Sequence, residues 1–101
     1  MNKELNLLGL ATRAGKVING EPLTLDGIKR KSVKLVYLAS DAGNSTKKRI
    51  RDKTTTQSIP LIEEYTNHEL SQSTGAYNRV VLGVTDVGFK KKLLELNEKG
   101  T

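Results

Sequence analysis

The apolar residues along the chain alternate between helical spacing and the continuous runs typical of buried strands. The first segment, residues 2–14, has apolar side chains at helical spacing: Leu7, Leu8, Ala11 and Ala14. The stretch Leu35–Ala39 is apolar throughout, which favours a strand covered on both faces. Because the two patterns keep alternating, we expect five helices and four strands in the order α-β-α-β-α-β-α-β-α.

Short polar residues and glycines mark the expected ends of these helices. The candidate N-caps are Asn2 for the first helix, Asn44 or Ser45 for the third, Thr66 for the fourth and Asp86 for the fifth. Thr66 and Glu69 have the spacing of a capping box. Gly15 and Gly75 are expected just beyond the first and fourth helices, and Pro22 suits the first turn of the second.

The strands are expected at residues 16–18, 35–39, 59–62 and 80–84. Pro60 cannot donate to a strand ladder, so it places the third strand at an edge or at its own start. Alternating helices and strands favour a three-layer α/β/α sandwich. We expect a mixed four-stranded sheet and a single domain over residues 1–101.

The composition excludes several classes of function. The chain has no cysteine and one histidine, which excludes disulfides, thiolate metal sites and most metal or triad chemistry. Asp41 and Asp86 follow strands, where ligands of α/β proteins often bind, but Asp86 is more simply a helix cap. No apolar run approaches the length of a membrane helix and no signal peptide is evident. We therefore expect a cytoplasmic, non-enzymatic protein without cofactor or metal.

The charge of the chain is positive and unevenly distributed. Seventeen Lys and Arg residues against eleven Asp and Glu residues give a net charge of +6. Residues 1–60 carry +7, residues 61–78 carry −3 and residues 79–101 carry +2. A basic field confined to part of a small protein indicates a polyanionic partner, such as a nucleic acid.

The expected third helix holds the densest cluster of basic residues. Its members are Lys47, Lys48, Arg49, Arg51 and Lys53, which spread around the helix with Ile50 as the only large apolar anchor. Lys47 and Lys48 fall near the helix start, where cations oppose the helix dipole. Residues that oppose local stability are candidates for function, although a simple solvated face remains an alternative.

Several segments resemble the kink-turn RNA-binding family of ribosomal proteins, the L-seven-Ae and L-thirty-e type. The matching segments are residues 10–17 (LATRAGKV), 34–42 (KLVYLASDA), 44–48 (NSTKK) and 79–86 (RVVLGVTD). The chain is most similar to the small bacterial, YlxQ-like branch of this family. The resemblance implies the three-layer fold, RNA binding and association with the ribosome.

One loop of this chain departs from the family pattern. Kink-turn binders of the family read G-x-N-E-x-x-K, and here Gly20 matches while Pro22, Leu23 and Asp26 occupy the Asn, Glu and Lys positions. Pro22 lacks a backbone N–H, and Glu21 and Asp26 are expected to repel a phosphate. The motif that reads kink-turns is therefore expected to be degraded. Helical spacing leaves open whether Leu23 is exposed or buried.

The resemblance also suggests which residues face RNA. Arg13, Lys16 and Gly20 match the first RNA-side positions, with Glu21 in the same loop. Ala76, Tyr77 and Asn78 match the second RNA-side loop, which Arg79 follows. Lys29, Arg30, Lys31, Lys47 and Lys48 would add electrostatic attraction.

Three functions are compatible with these observations. The first is a monomeric protein that binds structured RNA, expected to be ribosomal, without a complete kink-turn motif. The second is a ribosome-associated or regulatory adaptor whose basic face meets an acidic protein. The third, by analogy of fold alone, is a module that serves an RNA-modifying enzyme such as a methyltransferase.

Overall fold

A computed structural model describes residues 2–99 and has the expected alternation of helices and strands. The elements are α1 Lys3–Arg13, β1 Val17–Asn19, α2 Glu21–Lys29, β2 Leu35–Leu38, α3 Asn44–Thr56, β3 Leu61–Ile62, α4 Asn67–Thr74, β4 Val81–Val84 and α5 Val87–Glu98. Helices α1, α4 and α5 pack together in one layer, and α2 packs with α3 in another. The predicted α/β/α sandwich is thereby confirmed. Within residues 2–99, no helix is long and apolar enough to cross a membrane.

The four strands form one mixed sheet in the order β1-β4-β2-β3. β4 runs antiparallel to both β1 and β2, and β3 runs parallel to β2. β3 is therefore an edge strand, as Pro60 predicted, but it is shorter than expected. Ile59 lies outside the ladder because its N–H donates to the Thr54 carbonyl in the preceding turn, at 2.8 Å.

The strand directions define two ends of the sheet. At one end, which we call the Gly20 end, β1, β2 and β3 finish and β4 begins. At the other, the Lys16 end, β1, β2 and β3 begin and β4 finishes. Helices α2, α3 and α4 follow β1, β2 and β3, so all three start at the Gly20 end.

The core lies on both sides of the central strands. All four residues of β2 and all four of β4 are buried. Each helical layer contributes fully buried side chains: Leu8, Leu70 and Leu93 from α1, α4 and α5, and Ile28 and Ile50 from α2 and α3. As expected, the sequences of β2 and β4 are almost wholly apolar because helices cover both faces of the sheet.

α1 turns a carboxylate toward the core together with Leu8 and Ala11 of its predicted apolar face. Glu4 is 1% exposed and shares its face with the fully buried Leu8 and Ala11, whereas Ala14 is exposed. The expectation that Ala14 belongs to the buried face is wrong, because the helix ends at Arg13. Burial of Glu4 requires hydrogen-bond partners from elsewhere in the fold.

Two tyrosines and an amide supply those partners. The Tyr37 hydroxyl donates to Glu4 Oε2 at 2.7 Å, the Tyr65 hydroxyl donates to Oε1, and Asn97 Nδ2 donates to both oxygens. Burial raises the pKa of Tyr37 well above its usual range, and the hydrogen bond to Glu4 raises it further. The same two causes raise the pKa of Tyr65. Both hydroxyls therefore stay protonated and remain donors.

Three of the predicted helix caps are confirmed. The side chains of Asn2, Thr66 and Asp86 accept backbone N–H groups in the first turns of α1, α4 and α5. Thr66 and Glu69 form the predicted capping box. Capping by Asn44 or Ser45 is wrong, because α3 begins one residue earlier than that reading required and its N-cap position is occupied by Gly43.

Candidate nucleic-acid interface

The Gly20 end is built from four connections that hydrogen bonds hold together. Gly20 N donates to the Val81 carbonyl at 2.8 Å, which joins the start of α2 to the start of β4. Ala39 N donates to the Val80 carbonyl and Ser40 N to the Tyr65 carbonyl, both at 2.8 Å. Segments that are distant in sequence thus form one continuous surface.

Two helices open onto this surface without a side-chain cap. The N-cap of α2 is Gly20, whose φ of 99° requires glycine, and the N-cap of α3 is Gly43. Across the described part of the chain, α2 and α3 are the only helices in which no N-cap side chain accepts a hydrogen bond from the first turn. Their first N–H groups and positive dipole ends favour an anion at this surface.

Glu21 carries a compensated charge. Its carboxylate accepts hydrogen bonds from Arg49 Nε, from an Arg49 terminal nitrogen at 3.2 Å and from Thr46 Oγ1 at 3.2 Å. The hydrogen bond from Arg49 lowers the pKa of Glu21 and outweighs its burial. Glu21 therefore ties α2 to α3, and the repulsion of phosphate expected from it is reduced.

Asp26 is also paired, with Arg30 one helical turn away at 2.9 Å. Both residues are largely exposed, so the pair contributes little to stability. Pairing reduces the expected repulsion of phosphate by Asp26 in the same way. The departures from the family pattern therefore remove donors without leaving two uncompensated acidic side chains.

A network centred on Asn67 holds the connection between α4 and β4. Asn67 Oδ1 accepts the Arg79 N–H at 3.0 Å and the Ser71 hydroxyl at 2.9 Å. Asn67 Nδ2 donates to Asn78 Oδ1 at 3.0 Å, and Asn67 N donates to Asp41 Oδ1 at 2.9 Å. Asn78 adopts a left-handed conformation, with φ of 51°. This loop is consequently fixed by α4 and by the loop after β2.

Two apolar side chains project from the Gly20 end. Tyr77, in the loop that Asn67 fixes, is 93% exposed, and Leu23, in the first turn of α2, is 61% exposed. The open question about Leu23 is thus answered: it belongs to the surface. An exposed leucine and an exposed tyrosine at one end of the sheet are available to a partner.

The predicted basic residues near the start of α3 also lie toward this end. Lys47 and Lys48 are the fourth and fifth residues of α3. Lys47 is half-buried and Lys48 is exposed, with an ion pair from Lys48 to Asp52 at 3.3 Å. Their position toward the positive end of the helix dipole has no stabilising role in the fold.

The structure divides the predicted site residues into two groups. Gly20, Glu21, Lys47, Lys48, Ala76, Tyr77, Asn78 and Arg79 lie toward the Gly20 end. Arg13, Lys16, Lys29, Arg30 and Lys31 lie toward the Lys16 end. Arg13 and Lys29 occupy the last turns of α1 and α2, where a cation stabilises the helix dipole. Arg13 and Lys29 therefore have a structural explanation that Lys47 and Lys48 lack.

Sequence reasoning missed the residues that position this surface. No role was predicted for Asn67, which lies between Thr66 and Glu69 of the predicted capping box, and Arg49 appeared only as one of several basic residues. Their partners, Arg79 and Glu21, are far away in sequence, so no local pattern identifies them. Asp41 and Asp86 lie at opposite ends of the sheet because β2 and β4 are antiparallel, so they do not form one site.

Comparison with known sequences identifies clear relatives. A model of the ribosomal protein L7Ae/L30e/S12e/Gadd45 family matches residues 3–94. The RNA-binding protein YlxQ of Enterococcus faecium is 44% identical over 96 residues, covering 95% of this chain and 92% of that protein. The RNA-binding protein YlxQ of Bacillus subtilis (strain 168) is 42% identical over 90 residues, covering 89% and 90%.

Solved structures have the same fold. A protein of unknown function from Bacillus halodurans has a TM-score of 0.93 and 40% identity, covering 97% of this chain and 99% of that one. The 15.5kD RNA binding protein of Giardia lamblia has a TM-score of 0.80 at 16% identity, covering 94% and 82%. At 16% identity, the second comparison supports the architecture alone.

Proposed function

Because this chain belongs to the ribosomal protein L7Ae/L30e/S12e/Gadd45 family, we propose that it binds structured RNA through the Gly20 end of its sheet. Its relatives at 42–44% identity are named as RNA-binding proteins and not as enzymes. That agrees with the expectation of a non-enzymatic protein.

The pair of helix starts at the Gly20 end is the observation that carries the proposal. α2 and α3 both begin there with glycine at the N-cap, and Glu21 joins them through Thr46 and Arg49. α3 presents the backbone N–H groups of its first turn, while α2 presents fewer because Pro22 has no N–H. Such N–H groups at helix starts suit phosphate oxygens. Lys47 and Lys48 add positive charge beside them, so binding should weaken with rising salt.

Tyr77 and Leu23 supply the apolar part of the proposed surface. RNA-binding proteins commonly stack unpaired bases on exposed aromatic rings, at about 1–3 kcal/mol per base. The Asn67 network holds the loop that bears Tyr77, so little ordering entropy is lost on binding. An unpaired base is therefore the expected partner of Tyr77.

The proposed RNA is structured and ribosomal, and it is read mainly by its shape. Pro22, Leu23 and Asp26 replace the donors that read kink-turns in the resembling family. The remaining contacts are backbone N–H groups, lysines and one aromatic ring, which carry little base-specific information. We expect only a small preference for a kink-turn over other structured RNAs.

A binding titration with matched charge reversals tests the location of the surface. The double variant Lys47→Glu/Lys48→Glu changes the Gly20 end, and Lys29→Glu/Arg30→Glu makes the same change in net charge at the Lys16 end. Lys48 and Arg30 each belong to an exposed ion pair with a residue one helical turn away. Because Lys29 also stabilises the end of α2, circular dichroism should first show that both double variants are folded. We expect the first double variant to bind structured RNA at least tenfold more weakly, about 1.4 kcal/mol.

The second double variant should lose much less affinity, since it alters only the long-range field. Equal losses would contradict the proposed location and indicate a diffuse basic surface. The same titration with a kink-turn RNA and a plain duplex of equal length, at low and near-physiological salt, tests the specificity. A kink-turn preference of tenfold or more at the higher salt would contradict the proposed loss of kink-turn reading.

A further inference from the structure

A groove between α1 and α5 combines an apolar floor with a basic rim. Leu7 and Leu10 of α1 and Leu96 of α5 form the floor, and the groove encloses about 520 Å³. Leu10 is 51% exposed, and Leu7 and Leu96 are half-buried beside it. Residues 2–99 thus leave this floor partly open to solvent.

Lysines surround the floor. The groove is lined by Lys3 of α1, by Lys92 of α5 and by Lys99, which is the C-cap of α5. Lys92 forms an exposed ion pair with Glu95 at 3.6 Å, while neither Lys3 nor Lys99 is ion-paired anywhere in residues 2–99. The rim therefore keeps positive charge that the fold does not use.

The spacing of the lining residues matches a helical occupant. Each side of the groove contributes positions i, i+4 and i+7: Lys3, Leu7 and Leu10 on α1, and Lys92, Leu96 and the C-cap Lys99 along α5. Seven residues of helix rise about 10 Å, so the groove with its lysines has the length of about two turns of a partner helix. Helices commonly dock into such grooves through apolar anchors at this spacing.

Neither RNA nor a second copy of this chain matches the chemistry of the groove as well. A leucine floor offers no donors to phosphates and no aromatic face to bases. A second copy that met this groove with its own groove would bring the lysines of both rims together, which like-charge repulsion disfavours.

We infer that the groove between α1 and α5 docks an acidic amphipathic helix of a partner protein. Apolar residues of that helix cover Leu7, Leu10 and Leu96, and its carboxylates face the three lysines. α1 and α5 belong to the layer opposite α2 and α3, whose starts form the proposed RNA surface. A partner in the groove therefore leaves the starts of α2 and α3 open, so the protein can hold RNA and the partner helix together.

Nuclear magnetic resonance titration with designed peptides tests this inference. The probe is an alanine-based peptide of about 18 residues, because alanine favours the helix and shorter helices are marginal in water. It has leucines along one face and glutamates beside that face. One control peptide spreads the same residues around the helix, and another replaces glutamate with lysine. We expect the first peptide to shift the amide signals of α1 and α5 along the groove, and both controls to bind at least tenfold more weakly.

Two pairs of variants locate the contact on the protein. Leu10→Glu is matched by Val87→Glu, because Val87 is an exposed apolar residue of α5 that lies outside the groove. Lys3→Glu is matched by Lys91→Glu, which makes the same charge change outside the groove. We expect Leu10→Glu and Lys3→Glu each to weaken binding of the probe peptide at least tenfold, and the two controls to weaken it less than threefold. RNA affinity should change little in any of the four variants.

Several results would overturn the inference. One is equal binding of the three peptides. Another is a set of amide signal shifts that fall outside the groove. A third is equal affinity of each groove variant and its control for the probe peptide. Groove shifts produced by RNA would assign the groove to nucleic acid instead. Groove shifts that grow with protein concentration alone would assign it to a second copy of the chain.

Discussion

The two ends of the sheet both carry basic residues, but they place them differently relative to the helix dipoles. At the Lys16 end, Arg13 and Lys29 lie in the last turns of α1 and α2, where they stabilise the fold. At the Gly20 end, Lys47 and Lys48 lie near the start of α3 and oppose its dipole. Similar charges thus have a structural role at one end and lack one at the other.

The helix caps show the same contrast. α5 starts at the Lys16 end with Asp86, whose Oδ2 accepts the Phe89 N–H at 2.8 Å. α2 and α3 start at the Gly20 end with glycines as caps. α4 also starts at the Gly20 end, but with the capping box of Thr66 and Glu69. The contrast is therefore between α5 and the pair α2 and α3, whose uncapped starts leave groups available for an anion. Four variants test this comparison, in decreasing order of expected effect.

Replacing the buried carboxylate should have the largest effect, and mostly at the Gly20 end. Glu4→Leu removes the acceptor of the Tyr37 and Tyr65 hydroxyls, which we expect to cost about 2–4 kcal/mol of unfolding free energy. The backbone carbonyl of Tyr65 also accepts the Ser40 N–H at the Gly20 end. Urea denaturation measures the loss, and amide exchange should accelerate more at Ser40 than at Thr85 of the Lys16 end.

The conservative variant Glu4→Gln serves as the control. Its amide keeps an oxygen that accepts a hydrogen bond, so it should lose less stability than Glu4→Leu. Equal losses for the two variants would show that shape, and not hydrogen bonding, determines the contribution of Glu4.

Releasing the loop that bears Tyr77 should have the next largest effect. Asn67→Ala removes the side-chain bonds to Arg79, Ser71 and Asn78, at a cost of about 1–2 kcal/mol of unfolding free energy. RNA affinity should fall as well, because the loop must then be ordered on binding. Urea denaturation and RNA titration measure both quantities. The control His68→Ala, at the exposed neighbouring residue, should change neither.

Adding an N-cap side chain to α3 should raise the stability of the fold while weakening RNA binding. Gly43 has φ of −64° and open space around the position of a Cβ atom, so other residues fit there. Gly43→Asp should stabilise the fold by a few tenths of a kcal/mol and weaken RNA binding about three- to tenfold through the added negative charge. Gly43→Ser, a neutral cap, should stabilise similarly with a smaller loss of affinity. Unchanged RNA affinity in Gly43→Asp would remove the start of α3 from the proposed surface.

The link between α2 and α3 should show the smallest effect and a clear dependence on pH. Arg49 lowers the pKa of Glu21 below its ordinary value of 4.5. The stability from Glu21 is therefore present above pH 4.5 and is lost as the pH falls through the lowered pKa of the folded state. Glu21→Gln should be slightly less stable than the wild type at pH 7, and the two should converge in acid. Urea midpoints measured from pH 7 to pH 3 test this, and a constant difference would contradict it.

Local patterns predicted most of the fold because their causes are local. The capping box of Thr66 depends on a residue three positions away, and the end of α4 depends on Gly75, whose φ is 70°. The edge position of β3 follows from the missing N–H of Pro60. The wrong prediction has a local cause too. Asn44 and Ser45 are suitable N-caps by residue type, but α3 already begins at Asn44, so Gly43 is its N-cap.

The candidate site could be predicted only in part. Resemblance to a family identified the two loops, and Tyr77 and Leu23 in them, but not whether Leu23 is exposed. Asn67 and Arg49 act on residues at distant positions, so their roles depend on how the strands pair. The buried role of Glu4 was also hidden, since a glutamate at a core position gives no apolar signal in the periodicity of α1.

The sequence by itself determined the order of elements, three of the helix caps and the buried strands, because spacing and residue type act within a few residues. The tertiary structure decided which basic residues share a surface. β4 is antiparallel to β1 and β2, so Gly20 meets Val81 at one end while Lys16 meets Thr85 at the other. Since pairing between distant segments sets this geometry, charge that appears continuous along the chain is divided between two ends of the molecule.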